Sequence, residues 1–233
     1  MGSDLEFCHH RPPGYEPKRN VNGHRRQLER MSTGSTDSSL SLADLTDGDL
    51  TLGPLDSALF PGLSSSILVH QGFANEHAKT AQTILAAVLT LLGQHSPSSI
   101  IVTGHSLGAA LALLESVYLP LHVPAGTRVS AFTYGMPRVG NEAFANYVDA
   151  THNGNLTHIN NKEDVVPIVP GKFLGYLHPS GEVHIQDSGS WVACSGQDNP
   201  SGLCIVGDVP TVLQGNLSDH DGPYDDGIVM GTC

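Results

Sequence analysis

The stretch Ile100–Leu114 reads IIVTGHSLGAALALL. Ile100, Ile101 and Val102 form a β-branched apolar run, as expected of a strand buried on both faces of a sheet. Leu107 to Tyr118 is rich in Ala and Leu and stops before Pro120, so it predicts a helix. Between them stands Gly104-His105-Ser106-Leu107-Gly108. In a chain with 26 glycines a G-x-S-x-G pentapeptide alone is weak. Set between a strand and a helix it is strong, because a sharp turn there lifts the serine hydroxyl clear of the sheet. The two glycines leave room where strand and helix pack closely, and the helix N-terminus favours developing negative charge. Ser106 is the candidate nucleophile, and the Leu107 N–H is a candidate donor to an oxyanion.

The flanking sequence extends the pattern. Ser66–His70 predicts a short strand ended by Gly72. From Glu76 to Leu92 the residues Ala78, Ala81, Ile84, Leu85, Val88, Leu91 and Leu92 recur at helical spacing, with Gly93 as the stop. Val129–Tyr134 and Leu156–Asn160 predict further strands. Strands alternating with helices imply an α/β fold with a mainly parallel central sheet and helices on both faces.

A serine hydroxyl needs a base, and the base needs an orienting carboxylate. Where a strand–turn–helix presents the serine, the chain order is Ser, then Asp or Glu, then His. Asp164 follows the strand LTHIN by a short turn, which puts it at the carboxyl edge of the sheet; neighbouring Glu163 is its rival. His178, His184 and His220 compete as the base. His178 and His184 flank a Gly-Glu turn and read as hairpin residues, whereas His220 lies in a loop able to present an imidazole.

Composition removes other classes. The 233 residues are 39% hydrophobic and 15% charged, with a net charge of −12, and suffice for one domain with a sizeable core. No run of Lys or Arg offers a stripe to nucleic acid. No apolar run is long enough to span a membrane, and the N-terminus carries none that reads as a signal peptide. The thirteen histidines show no metal-ligand spacing, and no cofactor is implied. Cys194 and Cys204 close a short polar loop that suits a disulfide, and Asn155 and Asn216 head glycosylation sequons. Residues 1–30 have no clear period and read as a poorly ordered segment before a domain spanning 31–233.

The motifs VHQGF (69–73), IVTGHSLGAALA (101–112), TYGMPRVGN (133–141), HINNKEDVVPIVP (158–170), YLHPSGEVHI (176–185) and DHDGPY (219–224) together resemble the fungal class 3 lipases. The resemblance runs from about residue 35 to the C-terminus and implies an α/β-hydrolase fold. It implies Ser106 as nucleophile, Asp164 as orienter and His220 as base, acting on a lipid ester through an acyl-enzyme. It also implies a second oxyanion donor at Thr36, a lid over 38–46 with Leu40, Leu42 and Leu45 on its apolar face, and action at an oil–water surface outside the cell. The resemblance further implies Cys8 in the place of the N-terminal cysteine that in the family pairs with the C-terminal one, here Cys233. The segment HRRQLERMST departs from the family, which has a continuous apolar strand before the oxyanion residue. The expected architecture is therefore an N-terminally truncated lipase-like domain. A feruloyl esterase, a phospholipase or a catalytically inactive fragment on the same scaffold are the alternative readings.

Overall fold

A computed structural model describes residues 50–152 and 154–230. Thr36, residues 38–46, Cys8 and Cys233 lie outside the described residues.

The main sheet has five strands: β3 (Ser99–His105), β4 (Arg128–Tyr134), β6 (Leu156–Asn161), β8 (Glu182–Ile185) and β9 (Trp191–Cys194), in that spatial order. The first four are parallel and β9 is antiparallel to β8. Register pairs His105 with Tyr134, and Tyr134 with Ile159. The residues that follow β3, β4 and β6 therefore gather at one carboxyl edge, where ligands bind in parallel α/β sheets. A second, antiparallel sheet runs β1 (Leu52–Pro54), β2 (Leu68–His70), β5 (Gly140–Asn141), β7 (Tyr176–Leu177).

Helix α2 (Leu107–Tyr118) buries Ala109, Ala110, Leu113, Leu114 and Val117 in the main core, with Phe73, Val69, Val129 and Ala131. Each fully buried Leu or Val contributes about 1.5–3 kcal/mol. Helix α1 (Gln71–His95) lies against α2 and buries Phe73, His77 and Ala81. Helix α3 (Glu142–His152) buries Phe144, Ala145 and Val148.

Three expectations are corrected. Helix α1 begins at Gln71, not Glu76, because the His70 ring nitrogen accepts the Phe73 N–H and caps it; Gly72 sits inside the first turn. It also runs past Gly93 to His95 and stops where Ser96 turns left-handed. Strand β3 is not buried on both faces: Ile101 is 66% exposed, and Phe132 on β4, paired with Thr103, is also exposed. Finally, His178 and His184 do not flank a hairpin. Strand β7 pairs with β5 in the antiparallel sheet, while β8 pairs in parallel with β6.

Candidate active site

Ser106 is the hinge between β3 and α2. Its φ of 56° and ψ of −126° are conformations that L-residues rarely adopt, so the turn stores strain of about 1–3 kcal/mol. Close packing enforces the turn. A Cβ on Gly104 would stand 2.1 Å from the Gly108 carbonyl oxygen, so the strand can approach the helix only with glycine there. Gly108 is different: a Cβ there meets nothing within 4 Å, so packing does not require the second glycine. The Ser106 N–H donates to the Tyr134 carbonyl at 2.9 Å, and the side chain makes no capping bond to its own helix. The hydroxyl is left for other work.

Asp164 and His220 meet 56 residues apart in sequence. Asp164 leaves β6 through a tight turn, with its N–H on the Asn161 carbonyl at 3.1 Å. Its Oδ1 accepts the Val166 N–H at 2.8 Å, and its Oδ2 lies 2.8 Å from His220 Nδ1. The carboxylate is fully buried. This pairing holds Nδ1 as the protonated nitrogen and leaves Nε2 to accept a proton. Nε2 is buried and has no hydrogen-bond partner. A buried unpartnered nitrogen is costly and calls for an explanation, such as a catalytic role.

The loop bearing His220 is pinned at several points. Asn216 caps the short 3-10 turn Leu217–Asp221, and Asn161 Nδ2 donates to the Asp219 carbonyl at 2.9 Å. The His220 carbonyl accepts from His105 Nε2 at 2.8 Å and from the Tyr224 hydroxyl at 3.0 Å. Burial lowers the affinity of His105 for a proton, which favours the neutral donor. Burial likewise raises the Tyr224 hydroxyl above its ordinary value, with the Asp164 charge adding to it. His105 precedes Ser106, so one bond ties the serine turn to the histidine loop. Gly135 completes the corner: with φ at +54°, its Cβ would stand 2.8 Å from the His220 ring and 3.0 Å from Asp164 Oδ2.

The rivals are engaged elsewhere. Glu163 is half-buried, and it is the Asp164 carboxylate, not that of Glu163, that meets His220; the Glu163 backbone carbonyl accepts the Asn216 N–H at 2.7 Å. His178 Nε2 donates to the Pro167 carbonyl and His184 Nε2 to the Lys162 carbonyl, each at 2.8 Å. His105, Gly135 and Tyr224 escaped the sequence reading, since their value depends on contacts between distant segments. The one signal for them was that each sits in or beside a motif. The Cys194–Cys204 disulfide is present, with a Cα–Cα distance of 5.9 Å. Among the described residues, the one trio of metal-ligand types within mutual reach is Glu182 with these two cysteines, and the disulfide occupies both sulfurs.

A family model described as Lipase (class 3) matches residues 34–174. The chain is 39% identical over 159 residues to the secreted mono- and diacylglycerol lipase MDL3 of Malassezia globosa, covering 67% of this chain and 50% of that protein. Identity to the secreted mono- and diacylglycerol lipase MDL2 of the same species is 35% over 205 residues, covering 86% and 65%. The crystal structure of Lip2 lipase from Yarrowia lipolytica superposes with a TM-score of 0.66 at 32% identity, covering 83% of this chain and 70% of that one. The chain thus spans between half and about two thirds of the curated relatives it matches. The matched segment contains both the Ser106 turn and Asp164, and the fold agrees with the solved lipases, so the chain belongs to the class 3 lipase family.

Proposed function

We propose that this protein is an extracellular serine carboxylester hydrolase that cleaves acylglycerol esters. The observation that carries the reading is the His220 imidazole, bonded through Nδ1 to the buried Asp164 carboxylate and unpartnered at Nε2. In this reading His220 Nε2 takes the Ser106 proton as the hydroxyl oxygen attacks the ester carbonyl. The Leu107 N–H, at the first position of α2, stabilises the oxyanion, with Thr36 as second donor. The tetrahedral intermediate collapses, His220 protonates the leaving alcohol, and an acyl-enzyme remains. Water, deprotonated by the same imidazole, then releases the fatty acid. Asp164 holds the tautomer and offsets the charge of the imidazolium.

We read one groove as the place of the acyl chain. A groove of about 520 Å³, on the segment that follows Asp164 and the loop facing it, is lined mainly by apolar residues such as Ile168, Val169, Pro170, Leu174 and Val209, with Arg138, Lys172 and Thr211 among them. At its rim Phe173 is 90% exposed, and Leu213, next in the chain to the lining residue Val212, is 93% exposed, as a surface that meets lipid would have them. The names of the relatives, secreted mono- and diacylglycerol lipases, support both the substrate and the location.

Hydrolysis of p-nitrophenyl butyrate and palmitate, with Ser106→Ala as control, tests the reading. Turnover that disappears with the hydroxyl supports it, and turnover that survives the substitution overturns it.

A further inference from the structure

Among the described residues, Arg138 is the one buried Lys or Arg, only 2% exposed. A guanidinium is buried only when its donors are met, since desolvation costs several kcal/mol per ion. Here the donors divide into two sets. Nε donates to both oxygens of Asp198, at 3.1 and 3.0 Å. Nη1 donates to the Pro170 carbonyl at 3.0 Å and to the Ile168 carbonyl. The Arg138 backbone N–H adds a bond to the Val169 carbonyl at 2.9 Å. One residue therefore holds three consecutive carbonyls.

Those carbonyls belong to the wall of the apolar groove, to which residues 168 to 174 all contribute. The wall has little regular structure of its own: 3-10 turns at Val166–Ile168 and Lys172–Leu174 flank residues 169 to 171. Backbone of that kind keeps its shape only through partners. The counter-ion is anchored too. Asp198 is buried, in a left-handed conformation with φ of 43°, inside the loop closed by Cys194–Cys204. Neighbouring Asn199 and Gln197 bond to Ser195, Asn146 and Asp149. Lys172 approaches the same carboxylate at 3.9 Å but is half exposed.

We infer that Arg138 is a positioning residue for acyl-chain selection, fixing the groove wall through the carbonyls of residues 168–170, with disulfide-held Asp198 as its anchor. The inference rests on reading the groove as the acyl site. The Asp164 contacts to Val166 and His220 lie outside the atoms that Arg138 holds. Loss of Arg138 should therefore weigh on long acyl chains more than on short ones.

The test compares wild type, Arg138→Lys and the double variant Arg138→Met/Asp198→Asn, each checked for folding by circular dichroism. The double variant removes both charges together, and Asn tolerates the left-handed backbone, so no unpaired ion remains. The palmitate-to-butyrate ratio of kcat/KM should fall about tenfold in the double variant, with KM for palmitate carrying the fall. Arg138→Lys, which keeps charge without the fork, should lower the ratio in the same direction. A separate readout is binding of cis-parinaric acid to the same proteins carrying Ser106→Ala, where Kd should rise about tenfold. Parinarate binding that depends on Arg138 in a wild type with no ester turnover would sustain this inference and sink the hydrolase reading. An unchanged ratio and unchanged Kd in folded variants would overturn the inference, as would a wild type that neither binds nor hydrolyses long chains.

Discussion

The His105 and His220 rings lie in contact, tilted by 33° with centroids 4.4 Å apart, and the Nε2 hydrogen of the first donates to the backbone carbonyl of the second at 2.8 Å. The residue beside the candidate nucleophile thereby fixes the loop that bears the candidate base. Chemistry that needs a serine and an imidazole within a few tenths of an ångström gains from so direct a tether.

Replacing His105 by Phe keeps a ring against His220 and removes the donor. The expected result is a fall in kcat of about ten- to a hundredfold on a short-chain ester, with KM little changed. Combined with Tyr224→Phe, which removes the other donor to the same carbonyl, the loss should exceed the product of the single effects. Steady-state kinetics on the two single variants and the double variant checks this.

Gly135→Ala places a methyl against the His220 ring and the Asp164 carboxylate at a backbone angle that L-residues resist. Activity should fall by about a hundredfold or more, and the melting temperature should drop as well. A variant with full activity would show that the pair does not work in the arrangement described.

The Ser106 turn and helix α2 were legible because every cue there is local. The β-branched run, the pentapeptide and the Ala/Leu segment agree, and α2 has the predicted bounds. Helix α1 was legible in its middle and not at its start. Its cap is a histidine, His70, rather than the Ser, Thr, Asp or Asn that usually marks such a position. Burial of β3 was misjudged because apolar composition reports what a strand tolerates, not what covers it; Ile101 is exposed all the same. His178 and His184 were misread as the two sides of one hairpin because a Gly-Glu turn does not say which strands pair across it; His184 pairs with β9 instead. Arg138 sits in the motif TYGMPRVGN, but nothing in the sequence pairs it with Asp198, 60 residues on, since that pairing is wholly tertiary.

Stability should depend on pH through His158 and His178. The two rings stack at 5.0 Å, fully buried, and burial pushes each down to about 3; His178 adds to the effect on His158, and Arg138 to that on His178. In the unfolded chain both titrate near the ordinary value of about 6.5. Between about 6.5 and 3 the unfolded state binds the protons, so stability is lost as pH falls through that window, by up to about 1.4 kcal/mol per unit for each ring. Glu182 opposes this, because burial raises its carboxyl and the native state keeps that proton to higher pH. Thermal melts from pH 7 to 4 should decline, and His178→Gln should flatten the decline.

Phe173→Asp and Leu213→Asp remove exposed apolar surface without touching the Ser106 corner. Adsorption to a triolein emulsion should weaken several-fold, while hydrolysis of dissolved p-nitrophenyl butyrate changes far less. Equal losses on both substrates would contradict a lipid-facing rim.

The most direct trial of the account is labelling with a fluorophosphonate followed by peptide mass spectrometry. A single adduct on the peptide bearing Ser106, lost when His220 is replaced by Ala, is the predicted result. A folded protein that hydrolyses esters while carrying its label on any other residue, or none at all, would contradict it.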